Sequence, residues 1–306
     1  MNTTEKSKAG SRLHQMKRPA FAFITFLVII SWSCQRVPIT GRRQFAFVPE
    51  SELHAMSVTE YNKFLSTHVV LGTTDSNALM IKRTGTKISE GITTYMKTHG
   101  QAKRVAGYNW QFNLVQDNTV NAWCMPGGKV VFYTGILPLT QDENGVSVVM
   151  GHEIAHAIAR HGNERISQQL AIQMGGLALS VALSQKPEQT QQIFLQAYGV
   201  STTLGALAYS RKHESEADKL GLIFMALAGY DPNHAVPFWQ RMASRAGADG
   251  PPVFLRTHPS NEQRIKDIKA YIPTAMKYYN KGTNNTRGTS PRISRPGETT
   301  TKPSGK

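Results

Sequence analysis

The sequence predicts an α+β fold, mostly helical, with a small β-sheet beside one buried helix. Three observations predict it. Apolar residues recur at helical spacing over 51–65 and 77–98, and apolar and polar residues alternate from Trp110 to Leu114 ahead of a β-rich run ending at Tyr133. The stretch 146–158 is apolar apart from Ser147 and a small polar cluster, His152-Glu153 and His156.

The 306 residues carry a formal net charge of +15. Residues 1–43 hold eight Lys/Arg against one Glu and residues 277–306 hold seven against one, so the excess sits in the ends and the middle is nearly neutral. Nucleic-acid binding needs basic residues gathered on a folded surface, which this distribution does not offer. Lys17 and Arg18 precede the apolar run 21–30, too short to cross a bilayer as a helix but suited to the centre of a secretory signal. Ser31-Trp32-Ser33-Cys34 follows and is similar to the end of a bacterial lipoprotein signal, in which the cysteine becomes the lipidated first residue. Ser31 and Trp32 depart from the usual aliphatic and small residues there; an uncleaved anchor is the competing reading, and Met16 is a second candidate start. Residues 1–34 are therefore expected to be a signal segment, and 35–50, with Pro38, Gly41, Arg42 and Arg43, a tether. The other cysteine, Cys124, reads as a buried small hydrophobe.

A folded domain is expected over 51–276. Leu53, Met56 and Val58, then Leu79, Ile81, Ile88, Ile92 and Met96, mark two helices packed on a core. Trp110, Phe112 and Leu114 mark a strand, and 121–133 holds the turn signal Pro126-Gly127-Gly128 followed by Lys-Val-Val-Phe-Tyr. The next helix is expected to start at Asp142 and stop at Gly162. Residues 164–208 read as amphipathic helix with a break at 185–190, and its apolar run 174–183 is too short for a membrane span. Further helices fit 212–228, 233–246 and 261–271, and residues 277–306 form a basic tail too poor in apolar residues to order.

On a helix, His152 and His156 stand one turn apart on one face, where neutral imidazoles can share one Zn²⁺ while Glu153 reaches a metal-bound water. A hydrolytic zinc needs a third protein ligand and leaves the fourth position to water. In His213-Glu-Ser-Glu-Ala-Asp218, Glu214 and Asp218 share a face. Glu214 is the candidate ligand, and Asp218 can then accept the free ring N–H of a ligating histidine. Glu216 points off that face and His213 lies about 100° from Glu214, so both are weaker ligand candidates.

The HExxH pattern, the ExxxD helix with Ala217 before Asp218, and the upstream Asn121-Ala-x-x-x-Pro126-Gly127-Gly128 together resemble the zinc metallopeptidase family containing HtpX, BepA, LoiP and the CAAX prenyl endopeptidases, over about residues 45–271. The leader Val37-Pro-Ile-Thr-Gly-Arg-Arg43 is similar to that of its short lipoprotein members of the LoiP type. The resemblance implies zinc ligands at His152, His156 and Glu214, Glu153 as general base, Asp218 behind the ligands, and a gluzincin-like fold. It also implies that an edge strand over 121–131, including Asn121, Gly127 and Gly128, receives substrate backbone by strand addition. One zinc per chain and substrates among unfolded or misassembled cell-envelope proteins are expected. The location expected is the bacterial cell envelope, periplasm-facing and lipid-anchored through Cys34; Gln35, in place of an Asp-type retention signal, favours the outer membrane. The alternative function is a zinc-stabilised chaperone-like or binding protein with little hydrolysis.

Attack on a peptide carbonyl creates an oxyanion that a donor beside zinc should stabilise, and His258 is the first candidate. As a fourth ligand His258 would instead hold the enzyme off, and as a packing or capping residue it would do nothing chemical; these roles stay open. Arg264 reads as an ordinary ion-pair partner, and His161 and His234 as surface or capping residues.

Overall fold

The computed structural model describes residues 34–173, 187–198, 209–245, 250–259 and 262–279. The expected signal segment up to residue 33, the apolar run 174–183 and the tail from residue 280 lie outside them. No helix among the described residues is long and apolar enough to cross a membrane.

The first element corrects an expectation. Cys34–Arg36 (β1) and Arg43–Phe45 (β2) pair antiparallel, so the segment read as a tether is a packed hairpin. Val37, Gln44, Ala46 and Val48 are buried, and the Gln44 amide donates to the Ala159 carbonyl at 2.8 Å. Pro38 and Gly41 serve its turn, Gly41 at φ +67°. The Arg42 charge is taken up by Glu164 and Glu216, 122 and 174 residues away in sequence, a pairing that composition alone does not reveal.

Two helices and a mixed sheet follow. Helix α1 (Glu50–Ser66) buries Leu53, Tyr61 and Phe64; α2 (Ser76–Thr98) is capped by Asp75, whose carboxylate accepts from Ala78 N at 2.8 Å, and turns Ile81, Ile88 and Ile92 to the core. The strands are β3 (Val70–Leu71), β4 (Gln111–Val115), β5 (Ala122–Met125) and β6 (Lys129–Tyr133), in the order β3-β4-β6-β5. Gln111 pairs with Lys129 in the parallel β4/β6 ladder, and Ala122 with Phe132 in the antiparallel β5/β6 ladder. All five residues of β6 are buried, as a central strand's should be, and β5 is the edge strand on its side of the sheet, β3 being the other.

The edge is therefore shorter than expected: residues 129–131 belong to the central strand, and Gly127 and Gly128 form the connection. Both glycines have positive φ, +78° and +85°, and their carbonyls accept from Asn109 N and Gln111 N at 2.9 Å, so they are committed to the β4 side. A Cβ on Gly128 would sit 2.6 Å from the Trp110 ring. Asn121 stands just outside β5, its carbonyl accepting from Tyr133 N at 3.2 Å.

After the short α3 (Leu137–Thr140) comes α4 (Glu143–Ile158), the helix of the HExxH pattern, with Asp142 accepting from Gly145 N at 2.9 Å. Every residue from Val146 to Ile158 is buried, and a helix buried all round belongs between layers. It lies between β5 and α7 (Arg211–Leu227). The expected stop at Gly162 is not used: α4 ends at Ile158 and Arg160 turns the chain at φ +59°. A left-handed arginine costs about 1–2 kcal/mol. Its side chain is held against Gln35 and Glu50, and α5 (His161–Gln173) begins at once. Gly162 lies inside α5, where the Tyr198 hydroxyl of α6 (Pro187–Tyr198) occupies the space a Cβ would need.

The chain closes with α8 (Ala235–Ser244), α9 (Val253–Thr257) and α10 (Glu262–Ala275). Phe132, Val149, Phe224, Phe238 and Trp239 join sheet, α4, α7 and α8 in one core. The observed class is the one expected: α+β, mostly helical, with a small sheet against the helix of the two histidines.

Candidate metal centre

Helix α4 presents His152, Glu153 and His156, α7 presents Glu214 and Asp218, and the residue after α9 is His258; all six are buried. The approach of α4 to α7 is set by two glycines. A Cβ on Gly151 would lie 2.7 Å from the Gly221 carbonyl oxygen, and one on Gly221 would lie 2.9 Å from His152 N, so only hydrogen fits at the crossing. Ser210 caps α7 by accepting from His213 N at 3.2 Å, which starts the helix one turn ahead of Glu214.

Four donor groups, His152, His156, Glu214 and His258, offer atoms that all lie within 4.8 Å of one another. His152 Nε2 is 3.1 Å from His156 Nε2 and 3.1 Å from His258 Nδ1, and Glu214 Oε1 is 3.0 Å from His258 Nδ1 and 3.3 Å from His156 Nε2. Ligands about 2.0–2.1 Å from a tetrahedral zinc stand about 3.3 Å apart, so the spacing fits that ion. The donor chemistry fits as well. Burial opposes charge on Glu214, but His258 and Arg264 outweigh it and hold the carboxyl well below its usual range, and burial holds the His156 imidazole neutral.

Behind these donors, Asp218 Oδ1 is 3.0 Å from His152 Nδ1, leaving Nε2 to face the cluster. Arg264 grips Asp218 with Nε and Nη2, both at 2.8 Å, and stacks on the Trp239 ring at 3.5 Å. Its Nη1 reaches Glu214 Oε2 at 3.1 Å. Arg264 thus makes the ion pair read from sequence, in a buried bidentate form.

Glu153 lies between the donor cluster and the sheet edge. Its Oε1 has no hydrogen-bond partner, with His258 Nε2 at 3.4 Å, and the Cys124 backbone N–H of β5 bonds its carboxylate. Burial pushes the Glu153 carboxyl up to about 7 against the pull of His258. Cys124 is a buried free thiol. Gly127 and Gly128 are not part of this cluster.

Sequence reasoning misses three neighbours. Tyr209 packs against the His156 ring, tilted by 31° with centroids 3.9 Å apart. His161, read as a surface or capping residue, is fully buried with Nδ1 3.0 Å from His156 Nδ1. Glu216, read only as pointing away from Glu214, bonds His161 Nε2 at 3.0 Å. No sequence signal marks His161: the turn at Arg160, φ +59°, returns it to the same site, and no glycine or proline stands at that turn.

The model of peptidase family M48 matches residues 82–272. The chain belongs to peptidase family M48. As an M48 member it is a zinc metalloendopeptidase with a gluzincin-like fold, and the His-His-Glu-His cluster is where its metal fits. The mitochondrial metalloendopeptidase OMA1 of Schizosaccharomyces pombe is 32% identical over 241 residues, 78% of this chain and 67% of that protein. The mitochondrial metalloendopeptidase OMA1 of Homo sapiens is 28% identical over 262 residues, 83% of this chain and 49% of that protein. A putative beta-barrel assembly-enhancing protease of Vibrio cholerae is 32% identical over 162 residues, 52% of this chain and 34% of that protein. This M48 chain spans two thirds of the fission-yeast relative and half or less of the other two.

The family read from the motifs is the family found. The location is corrected: the relatives matching about four-fifths of the chain are named as mitochondrial, which overturns the expectation of a bacterial envelope lipoprotein at the outer membrane. That expectation leaned on Cys34 behind Ser31 and Trp32, an incomplete lipoprotein signal.

Proposed function

We propose that this M48 peptidase cleaves internal bonds in extended segments of unfolded or misassembled proteins, held by strand addition to β5. The observation that carries the reading is the position of Glu153, which touches the β5 edge through Cys124 N–H and the donor cluster through His258. His152, His156 and Glu214 would hold the zinc, with Asp218 orienting His152. Bound there, zinc supplies Lewis acidity toward a water and toward the scissile carbonyl.

The protein's own groups do the rest. Glu153 takes the proton of the attacking water and carries it to the leaving amine. The outward groups of β5 other than the Cys124 N–H, which Glu153 already holds, would take the substrate main chain in register and set one carbonyl beside Glu153. His258 would be a fourth donor to that ion, so its withdrawal would leave room for water and substrate.

Replacing Glu153 by Gln tests the reading. Cleavage of an unfolded protein such as reduced casein should fall by about 10²-fold or more while one zinc per chain is retained. Cleavage surviving with zinc bound sinks the general-base assignment, and a wild-type chain that binds casein without chelator-sensitive cleavage supports the chaperone-like alternative.

A further inference from the structure

The two metal-facing histidines of α4 are held from behind in different ways. His152 Nδ1 meets a carboxylate, Asp218, itself clamped by Arg264. His156 Nδ1 meets a second imidazole, His161, at 3.0 Å. His161 Nε2 lies 3.0 Å from Glu216 Oε2, and Glu216 is fixed by two residues of the β1–β2 hairpin: Thr40 Oγ1 donates to its Oε1 at 2.5 Å and Arg42 Nε to its Oε2 at 2.7 Å. Arg42 also bonds both oxygens of Glu164, at 2.9 and 2.7 Å, and Glu164 accepts from His213 Nε2 at 3.2 Å. The His161 and His213 rings stack with centroids 4.5 Å apart, closing the network.

Proton placement in this chain has one consistent solution when His156 offers Nε2 to a metal. The His156 proton then sits on Nδ1, where it must be donated. His161 Nδ1, facing it at 3.0 Å, must therefore accept, which puts the His161 proton on Nε2, where Glu216 is ready to receive it. The opposite direction would leave an N–H on His156 pointing into the donor cluster and an unprotonated nitrogen of His161 facing a carboxylate. Glu216 thus decides the direction, and the hairpin holds Glu216.

We propose that His161 is a positioning residue for His156: it accepts the His156 Nδ1 proton, is itself oriented by Glu216, and so ties the metal site to Thr40 and Arg42 of the leader hairpin. The inference rests on the reading of His156 as a zinc ligand. It gives the hairpin a role in metal retention that neither its turn chemistry nor its charge suggests. A histidine present only to fill space is replaceable by an aromatic ring; a relay is replaceable by a side chain that accepts on one atom and donates on another. Glutamine does both.

The test is zinc affinity of the full chain, measured by competition with a chromophoric chelator, for wild type, His161→Gln and His161→Phe. His161→Phe should raise the zinc Kd by about 10–100-fold, the usual cost of losing an outer partner of a ligand, and His161→Gln should stay within about threefold of wild type. Arg42→Gln, which leaves His161 untouched, should shift Kd in the same direction as His161→Phe. If Phe prevents folding, His161→Asn takes its place, its amide being too short to reach both His156 and Glu216. In nitrogen NMR of the zinc-loaded wild type, the His156 Nδ1 proton should exchange slowly, and in the Phe or Asn variant quickly. Equal affinity for wild type and His161→Phe overturns the inference alone, as does a His161→Gln as weak as His161→Phe. A wild type that binds no zinc removes the metal reading and this inference together.

Discussion

Gly151 of α4 and Gly221 of α7 touch through backbone: a methyl on Gly151 would lie 2.7 Å from the Gly221 carbonyl oxygen. The crossing lies one residue from His152 and three from Asp218, and it lets those two side chains meet at 3.0 Å. The glycines are therefore part of the metal site's geometry although neither carries a ligand.

Gly151→Ala should destabilise the fold and weaken zinc together. Overpacking costs about 1–3 kcal/mol. The gain in helix propensity returns about 1 kcal/mol of that, so a drop in Tm of a few degrees is expected. Thermal melts with zinc titrations check it, and an unchanged zinc Kd would detach the crossing from the metal site.

Removing the metal should lower stability sharply. Without a cation, His152 Nε2 and His156 Nε2 face each other at 3.1 Å beside a buried carboxylate. Zinc at 1,000 times its Kd stabilises by about 4 kcal/mol, or roughly 10 °C in Tm for a domain of this size. Calorimetry with chelator and then with zinc restored should show this fall and recovery; a chelator-insensitive Tm would contradict the site.

His258→Ala should keep zinc, since three donors remain, and should raise the rate of casein cleavage by opening a coordination position. Zinc content and initial rates measured together decide it. Loss of activity with zinc retained would assign His258 to the oxyanion, and no change would leave it a packing residue.

Acid should loosen the hairpin. Burial works against charge on Glu164, but His213 and Arg42 outweigh it and hold the carboxyl down to about 2. A free glutamate titrates at about 4.3, so between these values the unfolded chain binds the extra proton. The contribution is full above about pH 4.3 and is lost as pH falls through about 2. Melts from pH 5 to 2.5 should be flatter for Glu164→Gln than for wild type; identical slopes would show that Glu164 does not carry the effect.

Half of the metal site is legible in the sequence because its spacing is local. His152 and His156, and Glu214 and Asp218, are i,i+4 pairs whose shared face follows from helix geometry alone. The rest is hidden because its partners meet across long separations. Arg42 with Glu216, and His161 with Glu216, come together only after α4, α5, α7 and the hairpin have packed. The leader misleads for the same reason: Pro38, Gly41 and two arginines have a linker's composition, and only the distant carboxylates make it structure. The edge strand reads as too long because β5 and β6 are one continuous apolar stretch broken by Gly127 and Gly128, and period-two reasoning cannot say which half lies outside.

The edge strand β5 is four residues long, and no other strand among the described residues lies along its outer side. To lie there a polypeptide needs main-chain N–H and C=O groups not already engaged, and in a folded protein nearly all of them are. If substrate is held by strand addition, as proposed, the peptidase would tell its targets from its neighbours by whether their backbones are spoken for, and an intact protein would be spared with no inhibitor and no recognition sequence.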